Sequence, residues 1–133
     1  MGTQNTEVLH GLGKRRYLLI GQFSPNGAST IATPTQFTAG FTVARTGTGV
    51  FVVTLNDFWL RITPMFQNLT TATVQDIAVQ STAVSLGTPS SATYPTFTMT
   101  AFTYGGTTPT DITGAAGTYI TFGLALSTDT VQA

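Results

Sequence analysis

The sequence predicts an all-β protein: an antiparallel β-sandwich, or jelly roll, of about seven or eight strands behind an extended N-terminal arm. Three observations carry this. Short β-branched and aromatic runs recur roughly every 8–15 residues, with Gly, Pro, Asn and Ser turn signals between them. Threonine makes up 29 of 133 residues, and its branched, hydroxyl-bearing side chain suits the solvent face of a sheet. Neither a βαβ alternation nor an internal repeat of about 20–50 residues is visible.

The chain divides into an arm, residues 1–16, and a single β domain, residues 17–133. The arm's first 13 residues are polar and Gly-bearing, without periodicity. They carry no signal-peptide pattern, although Met1-Gly2 with Thr6 loosely matches a myristoylation site. Lys14-Arg15-Arg16 is the one basic cluster. It reads either as the solvated start of a strand or as an arm root that meets an acidic or phosphate-bearing partner.

Tyr17–Phe23 is a first apolar strand, ended by the Ser24-Pro25-Asn26-Gly27 turn. Residues 28–35 read as extended, with Pro34 favouring an edge or a connection. The densest apolar stretch follows. Phe41 and Val43 alternate with Thr42 and Ala44, a Thr/Gly loop intervenes at 45–49, and Val50–Leu55 runs on. This is a hairpin with a Gly-containing loop. Phe41, Val43, Phe51, Val53 and Trp59 are its expected core contribution.

Asn56–Leu69 is expected to be a loop or short turn that drops Trp59 and Phe66 against the end of the sandwich, because Pro64 limits any helix there. Thr71–Leu86 has a β pattern of mixed parity, which implies a bulge or break near Gln80-Ser81. Residues 87–91 form a loop. Thr96–Tyr104 alternates Phe97, Met99 and Ala101 against threonines. After a Gly/Thr/Pro loop over 105–117, Thr118–Ser127 closes the fold as the cleanest strand. Ile120, Phe122, Leu124 and Leu126 point inward there; Phe122 and Leu124 complete the core seed.

Composition narrows function mainly by exclusion. Charged residues are 8% of the chain, five basic against five acidic, compared with about 25% in typical soluble domains. Zero net charge argues against a general electrostatic grip on nucleic acid or on an acidic membrane. No apolar run approaches the ~18 residues of a membrane span. With no cysteine and a single histidine, His10, in the arm, neither a thiolate site nor a His-based triad is expected. The acids Glu7, Asp57, Asp76, Asp111 and Asp129 are scattered, and Asp57 and Asp111 sit in turn contexts. No catalytic residue, cofactor or metal site is therefore assigned, and a small hydrolase is nearly excluded. So little charge also gives little protection by self-repulsion, which suits life inside an assembly.

The order Gly49-Val50-Phe51-Val52-Val53-Thr54-Leu55, then Asn56-Asp57-Phe58-Trp59, with the closing strand Gly117–Leu126, resembles small phage structural proteins. With the threonine-rich composition it is similar to the cement, or decoration, proteins of tailed-phage capsids over residues 37–127. C1q-like and TNF-like jelly rolls share the closing-strand habit. The resemblance implies a non-enzymatic virion protein, made in the host cytoplasm and placed on the capsid surface. It further implies dimers or trimers that stabilise contacts between major capsid proteins, with the arm engaging a neighbour. The expected partner residues are Val8, Leu9 and Leu12 as apolar anchors and Lys14, Arg15 and Arg16 as the basic root. The arm has no apolar anchor stronger than Val8, Leu9 and Leu12. The rival expectation is a carbohydrate- or receptor-binding head of a phage fibre, using Trp59, Tyr94 or Tyr104.

Overall fold

A computed structural model describes residues 6–8, 16–29, 31, 40–113 and 117–127. The described residues form eight strands: β1 (Thr6–Val8), β2 (Arg16–Phe23), β3 (Phe41–Gly47), β4 (Val50–Leu55), β5 (Arg61–Thr70), β6 (Ile77–Ser85), β7 (Thr96–Thr103) and β8 (Tyr119–Ser127). One antiparallel sheet has the order β1-β2-β8-β5 and the other β3-β4-β7-β6. The first is essentially three long strands, with three-residue β1 added at its edge. The chain changes sheet after β2, β4, β5 and β7, so early strands pair with late ones: β2 with β8, and β4 with β7. The fold is thus the β-sandwich predicted from the sequence, wound in the nested manner of a jelly roll.

Alternation decides what faces inward. Leu19 and Phe23 of β2, Phe41 of β3, Phe51, Val53 and Leu55 of β4, Phe97, Met99 and Ala101 of β7, and Ile120, Phe122, Leu124 and Leu126 of β8 form one buried cluster. Phe122 lies at its centre. Its ring centroid is 5.2 Å from Phe41, 5.9 Å from Phe97 and 6.3 Å from Phe23, all tilted or edge-on. This crowding requires Gly21 on β2: a Cβ there would stand 2.5 Å from the Phe122 ring and 2.6 Å from that of Phe41. Val43 and Trp59 are half-buried against the same cluster. Trp59 meets Tyr17 edge-on at 5.3 Å.

Two segments differ from expectation. Most of Asn56–Leu69, expected as a loop or short turn, belongs to the ten-residue strand β5 (Arg61–Thr70), which pairs with β8 along its length. A register shift between Pro64 and Phe66 explains why the pattern hides it. Ile62 and Pro64 oppose the inward Leu126 and Leu124, but past the bulge it is Gln67 and Leu69 that oppose Phe122 and Ile120. Pro64 is tolerated because β5 is an edge strand. Phe66 does not drop against the end of the sandwich. It lands opposite Gly123, on the outer face, where its ring fills the space a side chain at 123 would need. The other difference is shorter: the Thr71–Leu86 pattern yields β6 only from Ile77, with its register shift between Ser81 and Ala83. The expected extension over 28–35 lies largely outside the described residues.

Phe51 is fully buried and rests against Phe23 at 5.4 Å. Phe51→Ala is expected to destabilise the domain by about 3–5 kcal/mol, as for buried phenylalanines generally. Urea denaturation monitored by Trp59 fluorescence checks it; a cost under about 1 kcal/mol would show that β4 does not anchor the core.

Candidate interaction surface

Among the described residues, those able to carry chemistry are dispersed or already engaged. Among the described residues no three His, Cys, Asp or Glu side chains come together. Asp57 and Asp76 are exposed on turns, while Asp111 is held in a latch. Arg45 Nε donates to Asp111 Oδ1 and Arg45 Nη2 to Oδ2, each at 2.8 Å, and the Gly49 N–H donates to Oδ1 at 2.8 Å. The bidentate pair draws the 105–113 loop onto the β3–β4 turn. There the Ala101 N–H donates to the Gly49 carbonyl at 2.7 Å and the Thr110 N–H to the Ala101 carbonyl at 2.9 Å. Arg45 and the Gly49 N–H hold the Asp111 carboxyl below the usual carboxylate range against partial desolvation, and the Arg45 guanidinium is raised in turn.

At the opposite end of the sandwich the 56–60 loop meets the segment before β7. The Leu55 N–H donates to the Pro95 carbonyl at 2.9 Å and the Asn56 N–H to the Gly40 carbonyl at 3.0 Å. A 3-10 turn at Pro89–Ser91 and a reciprocal Thr88–Thr93 backbone pair, 2.7 and 3.1 Å, fix the other wall. The rings of Phe58 and Tyr94 stack across this junction, centroids 4.7 Å apart and planes 20° apart. Tyr94 remains 42% exposed, and Leu60 at the end of the 56–60 loop is exposed as well. Trp59 turns the other way, toward Tyr17 and the core.

The two outer faces differ in chemistry. On the β3-β4-β7-β6 sheet, register aligns Thr42, Thr54, Thr96 and Ser85 into one hydroxyl row across all four strands. On the other sheet Leu18, Ile20, Phe66 and Ala125 share the outer face, every one of them half-buried. Along the side where β5 and β6 end the sheets, Met65 is 58% exposed, and Val84 and Leu86 are exposed as well. Tyr104, just past β7, is 72% exposed.

Of the expected partner residues, Val8 lies in β1 and Arg16 heads β2, both placed by backbone pairing alone. Leu9, Leu12, Lys14 and Arg15 lie outside the described residues. Of the rival aromatic set, Tyr94 and Tyr104 are presented to solvent and Trp59 is not. Met65, Val84 and Leu86 were not legible as surface residues. Met65 sits in the bulge and Val84 follows one, so parity read along the chain assigns them to no face.

Two outcomes follow for the latch. A group whose folded pKa is depressed adds stability above its unfolded value and loses it as pH falls through the folded one. The Asp111 contribution should therefore be intact at neutral pH and disappear below about pH 4. In thermal melts from pH 7 to pH 2, the gap between the parent and Asp111→Asn should narrow as the solution becomes acid; a constant gap would mean that ionisation of Asp111 is irrelevant. Gly49, at φ 68°, has no room for a Cβ, which would lie 2.5 Å from the Thr110 carbonyl and 2.7 Å from that of Ala101. Gly49→Ala should cost at least about 2 kcal/mol by denaturation. No family model, curated protein or solved structure matches this chain.

Proposed function

We propose that this protein is a structural virion component that binds the outer surface of a phage capsid and stabilises contacts between major capsid proteins. The observation that carries the reading is the surface of the sandwich. A domain with only 8% charged residues presents Leu60, Met65, Val84, Leu86, Tyr94 and Tyr104 to solvent. Such a surface has little electrostatic repulsion to keep copies apart and several apolar side chains for neighbours to cover. Many copies, each making modest contacts on a lattice, would hold collectively by multivalency. The two loop-clad ends are braced by the Arg45–Asp111 latch and by the Thr88–Thr93 pair, which suits a rigid clasp whose contact residues must stay in register.

A second reading has its own observation. The Phe58–Tyr94 stack places an exposed ring on a braced loop, and a sugar ring can lie against such a face. A carbohydrate- or receptor-binding head is the function that would use it.

Purified protein mixed with phage heads lacking it should co-sediment to saturation, at a fixed ratio to the major capsid protein. Absence of binding to heads, together with glycan retention lost in Tyr94→Ala, would replace the first reading with the second.

A further inference from the structure

We propose that the free edge of β6 is a seam between two copies of this chain. The two β6 strands would pair antiparallel about a two-fold axis, so that two four-stranded sheets become one of eight. The inference rests on the self-association within the reading above and not on the capsid.

β6 ends its sheet: among the described residues it pairs with β7 on one side and with no strand on the other. A nine-residue strand in that position presents a row of backbone N–H and C=O groups that only another extended backbone matches in spacing. Among the described residues the remaining edges are blunted. β1 has three residues, β5 contains Pro64 and begins at Arg61, and β3 carries Arg45 and a register shift beside its turn. β6, Ile-Ala-Val-Gln-Ser-Thr-Ala-Val-Ser, has neither a charge nor a proline. Its one protective feature is the bulge, at which Thr82 turns its hydroxyl back onto Thr100, 3.1 Å away.

Side-chain burial agrees. Phe97, Met99 and Ala101 on neighbouring β7 are fully buried, yet their partners across the ladder, Val84, Ser81 and Val79, are not. Val84 faces the core side opposite Phe97 and is still 40% exposed, because the sheet stops at its strand. One further strand beside β6 would cover it.

A second copy is the occupant that these features select. An edge without charge gives no attraction to a charged peptide and no repulsion to its own image, and the whole chain is neutral. Antiparallel pairing of a strand with itself is isologous, so both copies are satisfied by one contact and the assembly closes at two.

The test is the mass of the full chain in solution, by sedimentation equilibrium, without capsids. Twice 14.0 kDa is expected. Gln80→Lys with Ala83→Lys puts like charges along the seam on exposed, outward positions. This pair should weaken dimerisation at least about tenfold while leaving the circular dichroism spectrum unchanged. The chain has no cysteine, so single cysteines placed in turn at Val79 to Val84 give an independent readout. Oxidation should cross-link one or two adjacent positions, where the two-fold brings a residue opposite itself, and should not cross-link the Thr42→Cys variant on β3. A monomer, a closed trimer, a dimer indifferent to the two lysines, or cross-linking through position 42 would each overturn the proposal. A dimer that passes these tests yet fails to bind phage heads would sink the capsid reading alone.

Discussion

Phe122 is where the two sheets are joined. It stands mid-strand on β8, the central partner of β2 and β5, and reaches across the sandwich to Phe41 and Phe97 of the opposite sheet. Three choices elsewhere in the chain make room for it. Gly21 removes the side chain directly across the ladder, Phe41 closes over the vacated space, and Phe23 fills the next inward position. Because interiors pack to crystal-like density, a methyl group at 21 has nowhere to go without moving two buried rings. The nested winding follows from the same centre: β8, last in the chain, must lie between β2 and β5 for Phe122 to reach both halves.

Period-two alternation made most of this fold legible. Tyr119–Ser127 and Thr96–Thr103 alternate almost without fault because each pairs on both sides, and their inward positions are filled by the large apolar residues the pattern displays. β5 was hidden for a physical reason. It has one neighbour, contains a proline and is bulged at Met65, so two half-patterns of opposite parity are spliced together. Edge strands are where local sequence is least constrained by packing, so within Asn56–Leu69, expected as a loop, β5 keeps its structure while losing the pattern. The same splice concealed the exposed set at Met65 and Val84. The latch was beyond reach for another reason: Arg45 and Asp111 are 66 residues apart, and each in its own segment reads as an ordinary turn residue. The Phe58–Tyr94 stack likewise joins two loops whose proximity only the wound chain creates.

Order and openness are distributed unevenly around the sandwich. Both ends are closed by hydrogen bonds that involve loop backbone: the carboxylate of Asp111 at one, and the Pro95 and Gly40 carbonyls at the other. On the side bounded by β5 and β6 the two strands approach each other without forming a ladder, and neither contains a fully buried residue. A core that ends abruptly on one side forgoes burial that two more strands would supply. In a protein with an ordinary complement of charge, lysines on the edge would discourage self-pairing. Here the nearest strands contribute hydroxyls, alanine and valine instead.

That combination constrains function more tightly than any single residue does. An uncharged open edge in free solution is an aggregation hazard, since any extended chain can add to it. It is tolerable when a defined partner occupies it, and useful when the contact is the purpose of the molecule. The hydroxyl row on the adjacent face, from Thr42 to Ser85, keeps that sheet wettable without charge, so an added strand would extend a surface already suited to broad, neutral contact. Full burial is concentrated in the aromatic centre, whereas β5 and β6 contain no fully buried residue. Under the proposed β6–β6 pairing, the exposed Val84 at that edge is a residue that a second copy would cover.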